Sequence, residues 1–84
     1  MNNTDYILTK VREAFKAAFD VDPQSVSIET DASDITGWDS VGHLSLANSL
    51  EQAFGITLDV DELMEMENVR EIVRIIEAKL SKKV

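Results

Sequence analysis

The sequence contains no cysteine, and this absence excludes several kinds of chemistry. Without cysteine the chain forms no disulfide, has no thiolate metal site and has no thiol nucleophile of its own. Only one proline and three glycines occur among its 84 residues. Because 44% of the residues are apolar, we still expect a folded chain, with a single small domain over residues 1–84.

Long apolar runs are also missing. The first ten residues, MNNTDYILTK, lack the apolar core of a signal peptide. No apolar stretch approaches the length that spans a bilayer. We therefore expect a cytosolic protein without a membrane segment.

Lysine and arginine are absent from the middle of the chain. Between Ala17 and Val69 there are twelve acidic residues and no basic one, and the net charge of the whole chain is −8. This stretch would repel the phosphates of a nucleic acid, so nucleic-acid binding is not expected. It would attract partners with basic surfaces, although an acidic surface can also serve solubility alone.

Apolar residues at three- and four-residue steps predict a first helix that ends near Phe19, with Asn3 or Thr4 as its cap. Its apolar positions are Ile7, Leu8, Val11, Phe15, Ala18 and Phe19. The residues from Asp20 to Asp39 form a long connection, much longer than the usual loop. We expect its apolar residues to contact the core, namely Val26, Ile28 and Ile35.

The second helix is predicted from about Ser40 to Phe54, with Gly55 as its C-terminal stop. Its predicted buried stripe consists of Val41, Leu44, Ala47, Leu50 and Phe54, with Leu46 beside it.

Two capping patterns mark the last two helices. Asp59 and Glu62 resemble a reciprocal capping box before a short helix over residues 60–66, and Asn68 with Glu71 repeats the pattern. The final helix has an apolar face and a basic end that suits the helix dipole; these residues are Val69, Ile72, Val73, Ile76, Leu80, Lys79, Lys82 and Lys83. The fold class predicted is all-α: a small four-helix bundle with three long helices, one short helix and a long first loop.

A calcium site is the first functional possibility to test. The segment DASDITGWDSVG spans twelve residues and begins with an acid. An EF-hand requires glycine at its sixth position and glutamate at its twelfth, where this chain has Thr36 and Gly42. We predict no metal site.

A hydrolytic site at Ser40 is the second possibility. His43 lies three residues after this serine, close enough on a helix for contact. The sequence has no Gly-x-Ser-x-Gly elbow and no sign of an oxyanion hole. We therefore expect no enzyme, and we expect His43 to be a partly exposed residue of the first turn that a partner could contact.

Helix capping is the simplest local explanation of Asp39 and Ser40, since both residue types favour the N-cap position. Gly42 is less easily explained, because glycine within a helix costs about 1 kcal/mol relative to alanine. Two explanations are open: Gly42 permits the close approach of another group, or it is simply tolerated.

The features from Thr36 onward occur in a distinctive order. A long acidic loop leads into DSV at residues 39–41, and the helix that follows ends in LEQAFGITL at residues 50–58. A short acidic helix and an apolar helix come next. In this combination the chain resembles the acyl carrier protein family over nearly its whole length, and most strongly from Thr36 to Ile76. The family signature is Asp-Ser-Leu, so Val41 is a mild departure.

The resemblance implies that Ser40 carries 4′-phosphopantetheine, installed from coenzyme A by a phosphopantetheinyl transferase, with Asp39 and Val41 beside it. It implies a monomeric carrier that delivers acyl thioesters to enzymes of a fatty acid, polyketide or related pathway. A phosphate at a helix N-terminus is electrostatically favoured, and the prosthetic group would bring the thiol that the chain lacks.

A groove could shelter the acyl chain, and each buried methylene would contribute roughly 0.8 kcal/mol. The side chains expected near it are Leu44, Leu46, Leu50, Leu63, Met64 and Ile72. The alternative is that these residues are ordinary core.

One departure from the family concerns charge. Carriers of fatty acid synthesis usually have several acids in the second helix, whereas this helix has only Glu51. The acidic residues lie instead in the preceding loop and near the third helix: Asp31, Asp34, Asp39, Asp59, Asp61, Glu62, Glu65 and Glu67. This pattern, together with Trp38, favours a specialised carrier. Two alternatives stay open: a freestanding aminoacyl or peptidyl carrier, of which the peptidyl kind usually has glycines before the serine, and an unmodified acidic helical adaptor.

Overall fold

The computed structural model of the chain describes residues 3–81, with side chains from residue 5 onward. Its four α-helices are α1 (Asn3–Phe19), α2 (Ser40–Phe54), α3 (Val60–Glu65) and α4 (Val69–Ser81). Two single 3₁₀ turns, Pro23–Ser25 and Ala32–Asp34, lie in the connection between α1 and α2. The predicted all-α fold is confirmed. None of the helices within residues 3–81 combines the length and the apolar character that crossing a bilayer requires.

The core lies between the three long helices, because α1 packs against both α2 and α4. Each of these helices contributes side chains that are less than a tenth exposed: Ile7, Val11, Ala14, Phe15, Leu46, Ala47, Leu50, Val69, Ile72, Val73, Ile75 and Ile76. The predicted face of α4 is buried except for Leu80, which is partly buried against the core. By contrast, the short helix α3 has no buried residue.

The long connection is attached to the core at both ends. Val26 and Ile35 are buried and Ile28 packs against the core, as predicted. The Arg12 side chain of α1 donates through Nε to the Val26 carbonyl at 2.7 Å. In the middle of the connection, the Thr30 carbonyl accepts a hydrogen bond from the Val69 amide of α4 at 2.9 Å. The loop is therefore a fixed part of the bundle.

The buried face of α2 differs from the prediction in its first turn. Leu46, Ala47 and Leu50 are buried as expected, and Phe54 is partly buried. Val41 and Leu44, however, are 75% and 62% exposed. The inward-facing positions of the first turn are instead taken by Gly42 and His43, the former because the preceding loop passes against it. The two apolar side chains are consequently left at the surface.

Helix ends follow the predicted caps with small differences. Gly55 ends α2 in the left-handed conformation, with φ of 65°. Both halves of the Asp59–Glu62 capping box form. The third helix ends one residue earlier than predicted, because the backbone of Met66 is no longer helical.

The predicted second box is half formed. The Glu71 amide donates to Asn68 Oδ1 at 2.8 Å, but the Glu71 carboxylate pairs with Arg74 at 2.6 Å. At the start of α1, Asn3 and Thr4 have helical backbone. Their side chains lie outside the described part, as do Lys82 and Lys83, so those predictions remain untested.

Candidate functional site: the Ser40 groove

Asp39, and not Ser40, caps the start of α2. The Asp39 carboxylate accepts a hydrogen bond from the Gly42 amide at 2.8 Å, and its carbonyl accepts from the His43 amide at 2.7 Å. Ser40 is the first residue of the helix and is exposed. Its hydroxyl has no hydrogen-bond partner among the described residues. The serine oxygen is therefore free and faces solvent at a helix N-terminus.

Gly42 is needed because the loop backbone passes directly against it. A Cβ atom at this position would lie 1.9 Å from the Gly37 carbonyl oxygen and 2.8 Å from the Phe19 ring. Gly37 itself has φ of 93°, a conformation that favours glycine. The close approach expected at Gly42 thus comes from the chain itself. This pair of glycines brings the loop onto the first turn and fixes the place of Asp39 and Ser40.

His43 is held by hydrogen bonds at both ring nitrogens. The Trp38 indole Nε1 lies 2.8 Å from His43 Nδ1, and His43 Nε2 lies 2.8 Å from the Leu63 carbonyl oxygen. An indole N–H can only donate, so Nδ1 is the acceptor. The proton of the neutral imidazole is then on Nε2, which donates to Leu63. The ring is therefore fixed in one tautomer.

His43 is partly exposed in the first turn, as predicted, and both of its ring nitrogens are engaged within the protein. Neither ring nitrogen is available to take a proton from Ser40. His43 therefore does not serve Ser40 as the general base that a serine nucleophile requires.

Trp38 has a larger role than the sequence suggested. It is 8% exposed and meets the Phe15 ring edge-on, with ring centroids 5.1 Å apart. A buried tryptophan usually needs an acceptor for its N–H, and the only histidine follows it by five residues. That requirement was the signal in the sequence for the Trp38–His43 contact.

A groove of about 450 Å³ lies beside Ser40, between α2 and α3. We call it the Ser40 groove. It is lined by Ala32, Trp38, Asp39, Ser40, His43, Leu44, Val60, Leu63, Met64, Met66 and Glu67. Most of these side chains are apolar, and Val60 and Met64 are 69% and 73% exposed at its edge.

The predicted groove residues divide into two groups. Leu44, Leu63 and Met64 line the Ser40 groove. The prediction was wrong for the other three residues, which are fully buried in the core: Leu46, Leu50 and Ile72. These three belong to the buried cluster that the long helices share, which is the ordinary-core alternative.

The acidic residues differ in how they are engaged. Glu51, the only acid of α2, accepts a hydrogen bond from the Leu58 amide at 2.8 Å and so fixes the loop after the helix. In α3, Glu62 pairs with Lys79 at 2.9 Å and Glu65 with Arg74 at 3.2 Å. Asp61 in α3 is exposed. The first turn of α2 therefore exposes the apolar Val41 and Leu44, while the exposed acids nearby are Asp39 at the N-cap and those of α3 across the groove.

In the loop, Asp31 caps the second 3₁₀ turn. The Ser33 hydroxyl donates to its carboxylate at 2.6 Å, and the Ser33 amide donates to the same oxygen at 3.0 Å. The hydroxyl contact is the main cause that lowers the pKa of Asp31 below its ordinary value of 3.8. This acid therefore stays ionised at any pH near neutrality.

Comparison with known proteins identifies the family. The family described as "Phosphopantetheine attachment site" matches residues 9–76, which is most of the chain. The chain belongs to this family, the acyl carrier proteins. An acyl carrier protein of Coprothermobacter proteolyticus is 29% identical over 74 residues, covering 88% of this chain and 90% of the relative. One from Petrotoga mobilis is 27% identical over 77 residues, covering 92% and 91%.

A solved structure agrees with this assignment. The solution NMR structure of a holo acyl carrier protein from Geobacter metallireducens superposes with a TM-score of 0.79 at 34% identity, covering 90% of this chain and 87% of that one. Acyl carrier proteins are carriers and not enzymes, which agrees with the engaged nitrogens of His43. Their cofactor is a covalently attached phosphopantetheine, and the exposed hydroxyl at the start of α2 has the chemistry to hold one.

Proposed function

We propose that Ser40 carries the 4′-phosphopantetheine arm as a phosphodiester, and that the protein delivers acyl groups held on the arm as thioesters. The observation that supports this most strongly is the free hydroxyl of Ser40. Asp39 caps α2, so the serine oxygen has no structural bond to give up before it reacts. Asp39 is in this respect a supporting residue of the site.

The start of α2 suits the phosphate of the arm. The amides of Ser40 and Val41 have no hydrogen-bond partner among residues 3–81. Free amides and the positive end of the dipole of a 15-residue helix favour a negative group there. Val41 is 75% exposed next to the hydroxyl and offers an apolar contact to the transferase that installs the arm.

The arm would supply the chemistry that the chain lacks. A thioester requires a thiol, and the sequence has no cysteine. The phosphopantetheine thiol fills this role when the group is bound. Leu44, Leu63 and Met64 of the Ser40 groove then give the arm and the first carbons of its cargo an apolar surface.

We further propose a specialised carrier, one that serves a dedicated fatty acid, polyketide or related pathway. The only acid of α2 is engaged with Leu58, and exposed Val41 and Leu44 stand next to the attachment serine. Partner enzymes would contact this apolar surface and use basic groups against Asp39 and against the α3 side, near Asp61 and Glu67. Their binding would depend less on salt than charge-driven docking does.

Intact mass tests the attachment. The full chain is incubated with coenzyme A and a broad-specificity phosphopantetheinyl transferase. We expect a gain of one phosphopantetheine, absent in Ser40→Ala and present in Ser45→Ala, which removes another exposed serine of the same helix. An unchanged mass for the native chain would favour an unmodified adaptor and contradict the proposal.

The pathway is tested with the holo form. Its turnover by enzymes of general fatty acid synthesis is compared with that of a housekeeping carrier. We expect markedly slower turnover of this protein. Equal rates would show that the carrier is not specialised.

A further inference from the structure

The two walls of the Ser40 groove are joined by one side chain. His43 belongs to α2, and its Nε2 donates to the carbonyl of Leu63 in α3 at 2.8 Å. Both residues line the groove. The width of the groove at this point is therefore fixed by a hydrogen bond across it.

The wall formed by α3 has few other attachments. The helix has six residues and none of them is buried. Its two ion pairs, Glu62 with Lys79 and Glu65 with Arg74, reach α4 and not α2. Segments with little buried surface open most easily. The bond from His43 consequently has a large share in holding α3 beside the attachment helix.

Trp38 orients His43 for this bond. Its N–H can only donate, so it selects the tautomer in which Nε2 carries the proton. The planes of the two rings differ by 13°, which directs the indole N–H at the in-plane lone pair of Nδ1. Edge-on contact with Phe15 keeps the indole in place. The chain of contacts thus runs from the core to the far wall of the groove.

We propose that His43 is a positioning residue that holds α3 against α2, and that it thereby limits the length of acyl chain that the Ser40 groove shelters. The proposal rests on the proposed function, since the sheltered group is the cargo of the arm on Ser40. Loss of the bond lets α3 move away, so longer chains enter the groove.

A matched pair of amide variants separates the two bonds of His43. His43→Asn retains an acceptor near the position of Nδ1 for Trp38 but does not reach Leu63. His43→Gln places its amide nitrogen near the position of Nε2 and so retains the donor to Leu63. Ser45→Ala, an exposed change on the same helix, is the control. Trp38→Phe removes the indole donor but also shrinks a buried ring that contacts Phe15, so only an increase in exchange of α3 beyond that of α1 is assigned to the lost donor.

Hydrogen exchange of the unmodified full chain tests whether His43 keeps α3 beside α2. We expect the amides of α3 to exchange about five- to tenfold faster in His43→Asn than in the native protein, as loss of one hydrogen bond implies. In His43→Gln the exchange rates of α3 should stay within about twofold of the native rates. In Trp38→Phe they should lie between those of the Gln and Asn variants. Amides of α1 and α4 should not change in the two His43 variants. Equal exchange of α3 in the Asn and Gln variants would overturn the proposal.

The chain-length limit is tested on the holo forms, loaded with straight-chain saturated acyl groups of increasing length. The rate at which hydroxylamine cleaves the thioester measures how well the groove protects the acyl group, since a protected thioester is cleaved more slowly. We expect protection in His43→Asn to extend to longer chains than in the native protein and in His43→Gln. If the cleavage rate depended on acyl chain length in the same way in His43→Asn as in the native protein, the proposal would be overturned, even if the rates for all chain lengths rose together. If Ser40 accepts no arm, the proposed function and the chain-length limit fail, and exchange in the unmodified protein still decides whether His43 holds α3.

Discussion

Gly42 and Gly37 are in such close contact that a Cβ atom on Gly42 would lie 1.9 Å from the Gly37 carbonyl oxygen. The contact presses the loop against the first turn of α2, immediately beside Asp39 and Ser40. The geometry around Ser40 therefore depends on a residue type that is ordinarily unfavourable in a helix.

The first prediction concerns this contact. In an ordinary helix, glycine to alanine stabilises by up to about 1 kcal/mol. Gly42→Ala should instead destabilise the protein by about 1–3 kcal/mol, because the new methyl group forces the Gly37 backbone away. Denaturant unfolding measures the change, with Ser45→Ala as the control on the same helix. A stabilised Gly42→Ala would show that the contact is not as close as described.

The second prediction concerns Glu51. Glu51→Ala should lower the free energy of unfolding by about 1 kcal/mol, because the Leu58 amide loses its acceptor. Glu51→Gln keeps an acceptor oxygen and should lose less. Gln52→Ala, an exposed neighbour, controls for the loss of a long side chain. If Glu51→Gln left stability unchanged but weakened the use of the carrier by its enzymes, Glu51 would be a docking charge and the account of α2 would be wrong.

The third prediction concerns the pKa of Asp31. An NMR titration of its carboxyl group should give a value below 3.8, and Ser33→Ala should raise it. Because the pKa is lowered in the folded state, this group contributes stability above its unfolded pKa, and the contribution is lost as pH falls through the folded value. Ser25→Ala, whose hydroxyl bonds to Asp22, should leave the Asp31 titration unchanged. A normal pKa in the native protein would contradict the capping geometry.

The fourth prediction concerns the apolar surface near the serine. Leu44 is 62% exposed, so Leu44→Ala should change stability by no more than about 0.5 kcal/mol. It should nevertheless lower kcat/KM for the transferase, since an apolar contact next to Ser40 is lost. Asn48→Ala, one turn further along α2 and also exposed, should have little effect. Equal kcat/KM values for the two variants would show that Leu44 is not part of the docking surface.

Much of the fold could be predicted because its signals are local. The Asp59–Glu62 box and the glycine at position 55 mark helix ends through bonds within a few residues. The apolar faces of α1 and α4 repeat at helical spacing over several turns. Such signals depend little on the rest of the chain.

The details of the site were harder to predict because they depend on contacts between distant segments. His43 donates to a backbone carbonyl 20 residues away. Because every residue has a backbone carbonyl, the sequence does not indicate which one is the acceptor. Val41 and Leu44 fit a helical stripe, yet contact between Gly42 and the loop turns them outward. The free hydroxyl of Ser40 follows from the choice of Asp39 as the cap, which the sequence alone left open between the two residues.

The most direct test of the central claim is to locate the arm on the protein after modification. Trypsin leaves residues 17–70 as one peptide, because this stretch has no internal lysine or arginine. Cleavage after acidic residues gives instead the peptide 40–51, which contains Ser40, Ser45 and Ser49. Fragmentation of this peptide should place the phosphopantetheine on Ser40 alone. Its presence on either of the other two serines, or its absence from all three, would contradict the account.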